Sequence, residues 1–197
     1  MTIRFVLVTK LNKNHLRKIQ VANCTSLFCG IVAIGGMIVV AVYPMSSLQL
    51  AHDIGAYGLF FVGIIYAFLQ TLVSYFLYPD HNGLATCRLR LTFVTLCFVS
   101  LIIMMIFYPI GSAEFDSGNY SHTKRLKHPG EKGFVELVVS SVAEWTLALF
   151  FIFYFFSYIR EFQKITLHYR IDLLDHHFDE SSTKQSDERH PLLFEQI

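Results

Sequence analysis

Four long apolar runs separated by short polar stretches organise this chain. Val21 to Tyr43, Ile54 to Tyr78 and Leu91 to Tyr108 contain no Asp, Glu, Lys or Arg, and Phe134 to Tyr158 carries only Glu136 and Glu144. About 20 apolar residues carry a helix across the hydrocarbon core of a bilayer. Each run is of that order, so the pattern predicts an all-α integral membrane bundle with four spans, at about 21–43, 54–78, 91–108 and 134–158. The first three runs each end in a Tyr-Pro pair, at Pro44, Pro79 and Pro109. Such a pair suits a helix stop with an aromatic ring at the membrane interface. The opening eight residues are too short to span. No small-residue cleavage site follows them, so they do not read as a signal peptide.

Composition sharpens this picture. Of the 197 residues, 53% are hydrophobic and only 16% are charged, whereas a soluble domain carries about a quarter charged residues. A net charge of +1, with no basic face, argues against a nucleic-acid partner. The four cysteines, Cys24, Cys29, Cys87 and Cys97, lie in or beside apolar runs and have no zinc or disulfide spacing. Cys87 at a membrane border reads as a buried thiol, with palmitoylation the alternative.

Lys and Arg decide the orientation. Residues 1–20, the turn after span two and the tail together hold twelve of them, against four in loop 109–133 and none in the turn after span one. Excess positive charge stays cytosolic, so both termini are expected in the cytosol and loop 109–133 in the lumen. Asn119-Tyr120-Ser121 is a glycosylation sequon in that luminal loop, while Asn23-Cys24-Thr25 lies at the start of span one, out of reach of the machinery. The domain division is then a cytosolic segment 1–20, a bundle 21–167, and a polar tail 168–197 with the low hydrophobicity of a disordered segment. The tail ends with Glu188 four positions before Leu192-Leu193. That arrangement resembles an acidic dileucine signal for clathrin adaptors: an extended strand offers two leucines to an apolar pocket and a carboxylate to a basic patch. It points to the lysosomal membrane. His176 and His177 in the tail read as solvated, not as a metal pair.

Inside the spans, His52, Ala56, Gly63, Tyr66, Gln70 and Ser74 fall within roughly 40° of one line on a helical wheel. Such a small and polar stripe reads as a packing seam, because small residues admit close backbones and polar ones hydrogen-bond across helices. A lipid or solute path is the alternative. Glu144 is expected near the bilayer centre, where an unpaired charged carboxylate costs about 2.5 kcal/mol or more. A hydrogen bond from Tyr66 would relieve it. No H-E-x-x-H, G-x-S-x-G or phosphate-binding glycine loop occurs, so no catalytic, cofactor or metal residues are expected.

Ala51-His52-Asp53-Ile54-Gly55-Ala56, followed by Gly63, Tyr66 and Gln70, resembles the central helix of the damage-regulated autophagy modulator (DRAM) family, in the wider Frag/DRAM/Sfk group. The likeness continues at Glu131-Lys132-Gly133-Phe134-Val135, at Ala143-Glu144-Trp145 and along the run from Phe153 to Leu167. With the Leu-Leu tail, it looks strongest to the second of the family's members. The resemblance covers residues 12 to 197 and implies a six-span lysosomal membrane protein that promotes autophagy, with no enzymatic activity. This chain holds four spans; the family's first helical pair is missing from it. Membrane lipids, clathrin adaptors and helix–helix partners are the expected contacts. A lipid-handling or phosphoinositide-kinase regulator at the plasma membrane or Golgi, and a small channel or transporter, are the alternatives.

Overall fold

The computed structural model describes residues 2–12, 16–45, 47–80 and 83–163. The tail with Glu188, Leu192 and Leu193, and the His176–His177 pair, lie outside the described residues. Among the described residues seven α-helices run in order: α1 (Thr2–Leu11), α2 (Arg17–Val42), α3 (Gln49–Tyr57), α4 (Gly63–Phe76), α5 (Leu84–Ser117), α6 (Phe134–Phe156) and α7 (Ile159–Phe162). One π-helical turn, Gly58–Val62, joins α3 to α4. No strand occurs among the described residues. Four helical rods, 17–42, 49–76, 84–117 and 134–162, are long and apolar enough to cross a membrane. They alternate in direction, with α2 against α3–α4, α4 against α5, and α5 against α6.

The outer faces are apolar. Phe28, Ile38, Val42, Ile54, Phe98, Ile106, Trp145 and Phe156 all stand exposed, and Trp145 keeps 73% of its surface. Continuous apolar surface on every rod is stable against lipid tails and not against water. The inner contacts depend on small residues. A Cβ at Gly36 would lie 2.6 Å from both the Gly55 carbonyl oxygen and the Leu59 amide, and one at Gly63 would lie 2.7 Å from the Phe151 ring. Glycines at 36 and 55 therefore let two rods approach within backbone contact, and Gly63 makes room for the Phe151 ring.

One expectation changes in detail. Pro109 does not end the third span, because α5 runs through it to Ser117. A proline removes one helical hydrogen bond, but close packing along α6 holds the rod on course; Gly111 lies against the Gly133 carbonyl and the first turn of α6. At 34 residues and 1.5 Å per residue, α5 is about 51 Å long, well beyond a hydrocarbon core of about 30 Å. The connecting loop is therefore 118–133 and not 109–133. Residues 2–11 form a helix seated on the bundle, with Val8 fully buried among Ile19, Val73 and Leu77. The first two Tyr-Pro pairs do follow helix ends, at Val42 and Phe76.

Candidate functional site

At the bundle end that carries α1, charge is buried. Arg4 of α1 and Arg90 of α5 have side chains only 4% and 0% exposed, and both pair with Glu161 of α7. Arg90 Nη2 reaches Glu161 Oε1 at 2.6 Å and Nη1 donates to Ser74 Oγ at 2.6 Å. Its Nε donates to the Ser157 hydroxyl and Nη2 also to the Ser157 carbonyl. Arg4 donates to the other Glu161 oxygen, to Gln70 and to Ser74, and Gln70 passes the chain on to Ser26 at 2.7 Å. Both guanidinium groups sit over one ring, Tyr158, at 3.6 Å for Arg90 and 5.1 Å for Arg4. Five helices meet in this network. Two guanidiniums and one carboxylate leave one positive charge, spread over hydroxyl, carbonyl and π-face acceptors. A buried charge is tolerated only with such saturation.

One turn further into the bundle, Tyr154 donates to the Ala67 carbonyl at 2.8 Å and shares a 2.8 Å bond with Tyr158. Asn23 is also buried: its Nδ2 donates to the Phe5 carbonyl at 3.0 Å, tying α2 to α1. Cys87 is fully buried, its thiol 3.4 Å from the Ser74 carbonyl, while Cys24 is exposed.

The opposite end, toward loop 118–133, holds a two-lobed cavity. One lobe of about 510 Å³ is lined by His52, Asp53, Ala56, Tyr57, Met104 and Tyr108, among others. The second, about 670 Å³, reaches out past Asn119, Lys124 and Lys127. Tyr108, Asp116, Ser140 and Glu144 line both. Asp116 is paired with Lys124 at 2.7 Å. His52 Nδ1 lies 3.0 Å from the Tyr43 carbonyl; a carbonyl only accepts, so Nδ1 carries the proton and Nε2 is the free position. The cavity thus gathers three carboxylates, Asp53, Asp116 and Glu144, with two lysines, Lys124 and Lys127, the first of them paired to Asp116, an arrangement suited to a polar solute. Among the described residues no hydroxyl or thiol lies in hydrogen-bond contact with a histidine, so no nucleophile–base pair is assembled.

The polar stripe of the second rod divides between these two places. Tyr66, Gln70 and Ser74 belong to the buried end, and His52 and Ala56 to the cavity. The expected Tyr66–Glu144 hydrogen bond does not form. Tyr66 stacks on Phe155 with ring centroids 6.2 Å apart, eleven residues beyond Glu144 on the same helix. The rod begins already at Gln49, and Gly63 faces Phe151. Glu144 therefore stands seven residues, about 10 Å, nearer the loop end than Gly63. For the same reason His52 and Glu144 line one lobe.

The loop holds a third group, which the sequence reading passed over. His122, His128 and Glu131 place one ligand-type atom each within 4.8 Å of one another. Glu131 Oε1 is 3.0 Å from His122 Nε2, and Oε2 accepts from the His128 amide at 2.8 Å. Desolvation raises the Glu131 carboxyl, but the His128 amide and the two rings outweigh it and hold it below the ordinary carboxylate value.

Apolar rods, polar contacts confined to the inside and glycine-mediated crossings define a multi-pass α-helical membrane protein. The chain belongs to the Frag1/DRAM/Sfk1/Cwh43P family, whose N-terminal domain matches residues 1–165. It is 35% identical over 167 residues to the human DNA damage-regulated autophagy modulator protein 1, covering 85% of this chain and 66% of that protein. It is 34% identical over 196 residues to the mouse DNA damage-regulated autophagy modulator protein 2, covering 98% of this chain and 72% of that one. These identities do not separate the first member from the second. A more distant relative, the modulator of macroautophagy TMEM150B of Xenopus tropicalis, is 28% identical over 88 residues, 45% of this chain and 38% of that protein. The chain thus spans about two thirds of the length of the human DRAM1 protein it matches. No solved structure matches it.

Proposed function

We propose that this chain acts as a non-enzymatic, multi-pass protein of the lysosomal membrane that promotes autophagy. One observation carries the reading. The family match runs from residue 1 to residue 165, through every described helix and both polar sites, and the relatives it brings are named as modulators of autophagy rather than as enzymes. The tail supports the address, with Glu188 and Leu192-Leu193 offered to clathrin adaptors. The excess of Lys and Arg supports termini in the cytosol. Asn119, exposed just beyond α5, is then a luminal glycan acceptor. Lipid acyl chains cover the exposed apolar faces.

The test is paired. In cells lacking the protein, lysosome-dependent turnover of an autophagosome-membrane marker should fall, and re-expression should restore it. The tagged protein should sit with lysosomal markers, and a Leu192→Ala/Leu193→Ala form should move to the cell surface. Unchanged turnover in the deletion sinks the autophagy role. Residence of both forms at the surface or Golgi sinks the address and favours a lipid-handling regulator instead.

The carboxylate-lined cavity favours a second reading, a small transporter or channel. If it holds, flux into liposomes should be abolished by Glu144→Gln and untouched by removal of the tail.

A further inference from the structure

We propose that His122, His128 and Glu131 form a binding site for a zinc-type divalent ion that staples the loop between α5 and α6. Two imidazoles and one carboxylate are the donor set of three-ligand zinc sites, with a fourth position left for water. Bonds of about 2.0–2.2 Å in a tetrahedron place donors about 3.4 Å apart. The His122 Nε2–Glu131 Oε1 separation of 3.0 Å is already close to that, and all three donors lie within 4.8 Å. His122 Nε2 is buried and has no hydrogen-bond partner of proper geometry. Nε2 faces the Glu131 carboxylate at 3.0 Å without an aligned N–H bond, beside a second imidazole, and an ion between them would engage all three groups.

The surroundings hold the donors in place, as outer partners do in metal sites. The His122 ring packs edge-on to buried Phe115 at 5.7 Å, at the end of α5, and lies 5.7 Å from Tyr120. The His128 amide orients the carboxylate through Oε2 and leaves Oε1 free to turn to an ion. Gly130 and Gly133, at φ +96° and +72°, let the chain fold back so that residue 131 faces residue 122. His128 is exposed, which gives an ion its way in and its ligand room to close the remaining distance. Of the nearby lysines, Lys124 is tied to Asp116 and Ser112, and Lys127 lies 3.4 Å from Ser141.

The full chain, purified in detergent and stripped with a chelator, is titrated with Zn²⁺ at neutral pH by calorimetry. The background carries His176→Ala and His177→Ala, so that the tail does not contribute. One Zn²⁺ should bind per chain and raise the melting temperature. His128→Ala, which removes an exposed ring with no side-chain hydrogen bond, and Glu131→Gln should each weaken binding at least tenfold and abolish the melting shift while helical content is retained. Absence of saturable binding, or equal binding and equal shifts in the background and both variants, overturns the proposal.

Discussion

Glu161 shows how much one residue can hold. It is 14% exposed, and both of its oxygens are taken by buried guanidiniums from different helices. Removing one partner of a buried ion pair costs about 3–5 kcal/mol, because the other charge stays behind unpaired. Here two charges stay behind. Glu161→Ala should therefore lower the melting temperature in detergent sharply and release α1 to protease, whereas Glu161→Gln, which keeps an acceptor, should do less. Tyr66 gives the opposite case. Its ring carries its contacts, with Phe155 below it and Ala67, Val94, Tyr154 and Tyr158 around it. Tyr66→Phe, which keeps the ring, should change the melting temperature little in the same assay; a large loss would mean that the hydroxyl has a structural partner. Arg4 and Arg90 read in the sequence as two more basic residues beside a membrane. No local pattern says that they meet, because the groups they share, Ser74, Tyr158 and Glu161, come from distant stretches of the chain.

At the scale of the elements, the crossing of α2 with α3 rests on Gly36. A Cβ there meets backbone atoms at 2.6 Å, which cannot swing aside, while one at neighbouring Gly35 meets nothing within 4 Å. Overpacking typically costs about 1–3 kcal/mol. Gly36→Ala should thus lower the melting temperature and Gly35→Ala should leave it unchanged or raise it, since alanine is the better helix former. The rods themselves were legible in the sequence, since uninterrupted apolar runs have few other structures open to them. Their ends were less so. Pro109 looked like a stop because the rule for proline is local, and it fails when packing against α6 holds the helix on both sides. The π turn at Gly58–Val62 has no sequence signal of its own.

For the whole molecule, sidedness is the property to test. With loop 118–133 in the lumen, Asn119 should carry a glycan, seen as a gel shift that a glycosidase removes and that Asn119→Gln abolishes. Asn23→Gln should leave that shift in place yet lower stability, because the Asn23 amide bonds the Phe5 carbonyl between two helices. Absence of any shift in the parent would remove the glycan as support for the orientation.

Composition and the placement of apolar runs determined, without any structure, that four helices cross a bilayer. Hydrophobic transfer depends on each segment alone, so it can be summed along the chain. Family membership was likewise legible, in contiguous stretches such as Ala51–Ala56 and Phe153–Leu167. Depth and partnership were not. Whether Glu144 lies level with Tyr66 or lines a cavity with His52 depends on a relative slide of two rods by two turns, set by where each begins and by the fit of Gly63 against Phe151. Whether His122, His128 and Glu131 converge depends on the fold-back of a loop. Both are decided by contacts between residues far apart in sequence, and only the tertiary structure brings those contacts about.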